Sequence, residues 1–180
     1  MSTHKFQQEI DAFHQSVSVE TIGKVADEVF RHSLENLIRQ TNADAGAVWV
    51  ADQGKPDALT IAINVGDKGE SIEGNVSQQL ESGLVSRAFK ESKFVHDNGV
   101  FRSADQSSDV DMQLGQFTTH QMASPFQMFG KTVGAVTAIQ LTSVKKPTRR
   151  EWGFDEDAVQ AFHSWVSVAQ RLAEYSIICK

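Results

Sequence analysis

Residues 118–141 read Thr-Thr-His-Gln-Met-Ala-Ser-Pro-Phe-Gln-Met-Phe-Gly-Lys-Thr-Val-Gly-Ala-Val-Thr-Ala-Ile-Gln-Leu. Two β-rich runs flank a short turn at Phe129-Gly130-Lys131, where glycine supplies a backbone angle that other residues adopt at a cost. The second run, Thr132 to Leu141, is β-branched and apolar with small residues interleaved. A strand wetted on one side would alternate with charges, so this one is read as buried on both faces. Each face of the sheet therefore needs a cover, and a ligand is one candidate for a cover.

Upstream, Phe6, Ile10, Phe13 and Val17 fall at spacings of four, three and four, a narrow helical stripe close to a coiled-coil seam. Ser18, followed by Glu20, predicts the N-cap of a second helix running to about Gln40. Gly46–Ala51 and Leu59–Asn64 predict a strand pair, with Leu59, Ile61 and Ile63 on one face by the two-residue period. A polar connection spans residues 66–79. A short helix follows over residues 83–92, then a brief strand at Phe94-Val95-His96. Residues 98–116 show no period and read as an irregular segment of the kind that forms lids or binding loops. Downstream, a basic loop at Lys145–Arg150 precedes a helix capped by Asp155. Its apolar positions Val159, Phe162, Val166, Ala169, Leu172 and Ala173 are widened by Trp165 and Val168.

The chain has 180 residues, enough for one domain with or without a helical extension. Its net charge of −6 argues against nucleic-acid and anionic-membrane partners. No apolar run resembles a signal peptide or a membrane span, and the expected location is cytoplasmic. The single cysteine, Cys179, excludes an intrachain disulfide and a cysteine-based metal cluster. There is no phosphate-binding Gly-Lys-Ser/Thr loop, no Gly-x-Ser-x-Gly elbow and no helical His-Glu-x-x-His, so no catalytic residues are assigned and an enzyme is not expected.

Several stretches in this order resemble a GAF domain, a small-molecule-sensing relative of the PAS fold. They are Ser82–Ala88 leading to Phe94-Val95-His96-Asp97, then Met122–Phe126, Gly130–Val136 and Phe154–Ala158. The resemblance covers roughly Val19 to Ile177. It implies an α+β fold: an antiparallel sheet with N- and C-terminal helices on one face and a loop-covered pocket on the other. The implied division is a helical extension over residues 1–18 and the GAF domain over 19–180. It also implies a homodimer, often held by the first and last helices, and a downstream signalling protein as partner. Bilin-binding members attach their chromophore through a pocket cysteine, so no covalent bilin is expected here. The methionine-sulfoxide-reducing members need pocket cysteines that this chain lacks. Cyclic-nucleotide members carry a three-residue spacer between Phe and Asp-Glu, whereas Phe154 is followed at once by Asp155-Glu156.

The candidate ligand-binding residues are Trp49, Phe94, Asp97, Phe101, Asp109, His120, Met122, Ser124 and Thr137. On the strand through residue 122, His120, Met122, Ser124 and Phe126 share one face and Thr119, Gln121, Ala123 and Pro125 the other. His120 and Ser124 give the first face the apolar-with-polar mixture of a small-molecule site. Thr137 shares its face with Val133, Ala135 and Ile139, and a buried hydroxyl needs a partner. Asp97 suits either a ligand contact or a turn before Asn98-Gly99. Asp105, Asp109 and Asp111 either face a cationic ligand or solvate the loop. The six histidines lack metal-binding spacing, and no metal is expected. The expected function is a small-molecule-binding regulatory module with a ligand of unknown identity. The alternative is a ligand-free scaffold or dimerisation module whose pocket is filled by Trp49, Phe94, Met122 and Phe126.

Overall fold

The computed structural model describes residues 3–26, 28–52, 54–66, 68–103, 107–142 and 153–179. Its helices are α1 (Thr3–Gln15), α2 (Val19–Val25), α3 (Glu28–Gln40), α4 (Leu84–Glu91), α5 (Asp109–Leu114) and α6 (Glu156–Ile178). Its strands are β1 (Ala45–Ala51), β2 (Ala58–Gly66), β3 (Ser77–Gln79), β4 (Val95–Asp97), β5 (Thr118–Met128) and β6 (Lys131–Leu141). Single 3-10 turns lie at Gly69–Ile72 and Val100–Arg102. Among the described residues no helix is long and apolar enough to cross a membrane.

The hairpin of residues 118–141 closes through Phe129 and Gly130, both left-handed at φ 49° and 78°. Two successive positive φ values match the twist of the flanking strands. A phenylalanine in that region is unusual, and its surroundings hold it there. Its N–H donates to Glu174 Oε1 of α6 at 2.6 Å, and its ring meets Phe13 of α1 edge-on at 5.6 Å. The adjacent Met128 carbonyl oxygen lies 2.9 Å from His14 Nε2. The hairpin tip thus touches both terminal helices.

The sheet has six strands in the order β3-β2-β1-β6-β5-β4, every pair antiparallel. Its two three-stranded halves meet only where β1 pairs with β6. There Val50 lies opposite Gly134, and a Cβ on Gly134 would sit 1.8 Å from the Trp49 carbonyl oxygen. No side chain fits at that contact, so glycine is required by close backbone approach.

Helices α1, α2, α3 and α6 cover one face. Phe13, Val17, Ile22, Phe30, Leu34, Leu37 and the α6 residues Phe162, Val166 and Ala169 pack there on Val48, Ile63, Met122, Phe126 and Val136. The opposite face carries Ala47, Trp49, Leu59, Ile61 and Ala135. It is covered by Ile72, Val76, Val85 and, from α5, Val110 and Leu114. Caps behave as the sequence predicts: Ser18 Oγ accepts from the Thr21 N–H at 3.1 Å, and Asp155 Oδ1 from the Ala158 N–H at 2.8 Å.

Four expectations are corrected. The second helix is two, because the chain leaves helical geometry at Ala26 (ψ 82°). Ile63 does not share a face with Leu59 and Ile61: the register slips between Val48 and Trp49, which oppose Ile63 and Ile61, so Ala62 bulges out of step. Val133 likewise joins the helix face, because Phe126 and Gln127 oppose Gly134 and Thr132. Leu172 is exposed on α6 together with Val168, Tyr175 and Ile178. The polar connection and the irregular segment also hold more structure than their lack of period implied, namely β3, α5 and the two 3-10 turns. Asp105, the basic loop and the side chains of His4 and Phe6 lie outside the described residues.

Gly134→Ala should destabilise the protein by about 3 kcal/mol or more, since neither backbone at the β1–β6 contact can withdraw without losing ladder bonds. Gly23→Ala in α2, where an added Cβ meets nothing within 4 Å, should stabilise by about 0.5–1 kcal/mol. Thermal melts of the two variants check both signs; a Gly134→Ala protein melting like the parent would show that the contact can relax.

Candidate ligand-binding site

The face of the sheet away from the terminal helices does not pack solid. Its floor is built from short side chains, Ala45, Ala47 and Thr137, with Trp49 and Ile61 as walls. The roof comes from the N-terminal end of α4 (Leu84, Val85) and from Val100, Val110, Leu114 and Gln116. Between them lies a cavity of about 60 Å³. That holds roughly two packed waters, far less than a drug-sized site.

Local sequence explains the roof. Val110 and Leu114, four apart on α5, point together onto the sheet while Met112 between them is exposed. Asp111 is buried and fastens α5 to the start of β5: its Oδ2 accepts from the Thr118 N–H at 2.9 Å and its Oδ1 from the Thr118 hydroxyl at 2.7 Å. Gly115 ends the helix with φ 59°. At the other end, Gln78 Nε2 donates to the Ser82 carbonyl at 2.8 Å and lies 3.2 Å from Ser86 Oγ, which donates to the Gln79 carbonyl. Gly83, at φ 91°, leaves room for that amide, since a Cβ there would come within 2.2 Å of it.

The polar groups on the wall are mostly neutral. Trp49 Nε1 donates to Thr137 Oγ1 at 3.0 Å, so the two cavity residues legible in the sequence answer each other across the β1–β6 seam. Asn64 Nδ2 is held by the Gly69 carbonyl at 2.8 Å. Gln116 Oε1 is buried without a hydrogen-bond partner, and Gln121 makes no side-chain hydrogen bond among the described residues. Asp111 is the buried charge, and Lys68 is exposed at the rim.

The other candidates lie elsewhere. Phe94 and Met122 pack under the terminal helices, with the Phe94 ring 4.2 Å from that of His163 on α6. Ser124 is buried on the same β5 face as Met122 and Phe126, and that face turns toward the helices, whereas Thr118 and Gln121 line the cavity. The expectation that the His120 face looks into the pocket is therefore corrected. Both faces of β5 are buried and both carry polar groups, so alternation pairs residues on a face without saying which cover each face meets. Asp97 ends β4 across from Gln121 but is not part of the cavity wall, and Asp109 is exposed in the first turn of α5.

His120 and Phe101 border a separate shallow recess with Asn98, Arg102 and Thr142. Phe101 stacks near Phe117 and under the Arg102 guanidinium, 4.9 Å from its ring centre. Thr119 Oγ1 donates to the Gln140 carbonyl at 3.0 Å and so accepts from His120 Nδ1 at 2.8 Å, which places the neutral proton on Nδ1. Burial holds the His120 imidazole below the usual histidine range, with the Asp97 carboxylate pulling the other way. Among the described residues no group of three potential metal ligands converges.

No family model matches the sequence, and neither does any curated protein. Solved structures do match in fold. The GAF domain of the Acinetobacter phosphoenolpyruvate-protein phosphotransferase superposes with a TM-score of 0.61 at 14% identity, covering 98% of this chain and 96% of that one. Residues 122 to 287 of a methyl-accepting chemotaxis protein give 0.65 at 17%, covering 95% and 98%. The type II free methionine-R-sulfoxide reductase of Thermoplasma acidophilum gives 0.62 at 15%, covering 86% and 96%, so enzymes too are among the similar structures. The cysteine of this chain, Cys179, is exposed at the end of α6, off the cavity. With its six-stranded antiparallel sheet, terminal helices on one face and a roofed cavity on the other, the chain has the GAF-domain fold.

Proposed function

We propose that this chain is a regulatory module whose cavity takes a small molecule and whose terminal helices pass occupancy to a partner. The observation that carries the reading is the roofed cavity itself, floored by small residues and lined by Gln116, whose side-chain Oε1 is buried with no hydrogen-bond partner among the described residues. A buried acceptor left unpaired costs about 1–3 kcal/mol, which a ligand donor would recover. The route outward runs from α5 through Asp111–Thr118 into β5. From β5 it reaches α6 through Gln170, whose Nε2 donates to the Pro125 carbonyl at 3.0 Å, and through Glu174 at the hairpin tip. Ligand binding that favours one placement of α5 would bias that chain of contacts by population shift.

The output is a homodimer read by a downstream signalling protein. Val168, Leu172 and Tyr175 are exposed on α6 at spacings of four and three, 56%, 43% and 70% accessible, a seam suited to a second copy of the same helix. The small volume favours a second reading, a scaffold that dimerises through the same seam and leaves the cavity empty.

A thermal-shift screen against a panel of small metabolites separates the two. A ligand at about a hundred times its Kd should add about 2.7 kcal/mol, on the order of 5–10 °C. No shift from any compound at saturating dose would favour the scaffold. For the dimer, light scattering of a Leu172→Glu, Tyr175→Glu double variant should give the monomer mass where the parent gives twice that. A parent already monomeric at high micromolar concentration would remove the dimer from the mechanism.

A further inference from the structure

We infer that the cavity selects a small uncharged ligand bearing an amide group, an inference that rests on the ligand-binding reading above and narrows it. The argument is an accounting of which polar atoms on the wall are already committed. The Trp49 N–H is taken by Thr137, and each oxygen of Asp111 accepts one hydrogen bond from Thr118. The Gln78 amide nitrogen is taken by Ser82 and Ser86. What stays uncommitted among the described residues is mostly amide: the buried Gln116 Oε1, the Gln78 Oε1, the Asn64 Oδ1 and the whole Gln121 head group, together with the Ser107 hydroxyl and the Thr137 hydroxyl proton.

That set offers neutral acceptors beside neutral donors. A primary amide presents N–H and C=O on adjacent atoms and can satisfy both kinds at once. A carboxylate or phosphate fits poorly, because the buried charge on the wall is the Asp111 carboxylate, and Lys68, the cation of the lining, is exposed at the rim. An ammonium carries donors only, so it would leave the Gln121 donors and the Thr137 hydroxyl proton unanswered. The volume of about 60 Å³ limits the part of the ligand that enters to roughly two or three heavy atoms, the size of an amide head group.

Four probes of matched size separate these chemistries on the full chain: propionamide, propionate, propylammonium and propanol. The readout is the indole N–H resonance of Trp49 in a nitrogen-correlated NMR spectrum, assigned with Trp49→Phe. Propionamide should move that resonance saturably in the millimolar range and bind about tenfold more tightly than the other three. Gln116→Met should weaken propionamide by about tenfold and leave propionate, which has no donor for the glutamine oxygen, unchanged. If that variant does not fold, the ranking on the parent chain decides. Propionate or propylammonium binding more tightly than propionamide overturns the amide class while the ligand site stands. A Trp49 resonance unmoved by all four probes overturns the class as well, and a metabolite screen equally blank takes the ligand-binding reading with it.

Discussion

The contact on which the structure depends is the approach of β6 to β1 at Gly134. Strands β1, β2 and β3 form one antiparallel half-sheet and β4, β5 and β6 the other, and the halves share the β1–β6 ladder. That ladder joins Trp49 to Ala135, a long-range pairing whose closure entropy is repaid only when both faces of the combined sheet are covered. The same ladder carries the Trp49–Thr137 hydrogen bond and the small residues that leave the cavity open. Core and candidate site are therefore consequences of one strand pairing.

Around that seam, two side chains fasten the entry of α6 by imitating backbone. Gln140 is fully buried; its Nε2 donates to the Asn42 and Gly153 carbonyls, and its Oε1 accepts from the Gly153 N–H at 2.9 Å. Asn98 does the same one residue on, donating to the Phe154 carbonyl at 3.0 Å and accepting from the Phe154 N–H at 2.8 Å. A fully buried, fully satisfied amide such as that of Gln140 fixes a unique arrangement where an apolar contact would slide, and the exposed Asn98 adds a second backbone-like clamp beside it. The α6 helix thus starts from a defined point, with Phe154 buried beside it.

Much of this was legible in the sequence where local chemistry and tertiary demand agree. The hairpin at residues 118–141, the caps at Ser18 and Asp155 and the α4 stripe all follow from propensity and period. The elements that escaped are short ones: β3 has three residues and α5 six, and each is held by contacts distant in sequence. Face assignment failed wherever a bulge interrupts alternation, at Ala62 and at Val133, because a slip of one residue moves the remainder of the strand to the other side. Of the candidate site, Trp49 was readable as an aromatic wall and Thr137 as a buried hydroxyl in need of a partner. Gln78, Gln116 and Gln121 were not, because glutamine is ordinarily a surface residue and only the fold turns three of them toward one space.

The left-handed Phe129 at the hairpin tip links the two ends of the chain. Its ring rests on Phe13 near the N-terminus, and its amide is held by Glu174 near the C-terminus. Both contacts bear on the same strained residue, so each supports the backbone geometry that the other uses. In a double-mutant cycle the Phe13 and Glu174 contacts would therefore show a favourable interaction energy despite sharing no atom. Anything that lifts one end of the chain off the domain, a binding partner included, loosens the grip on the other.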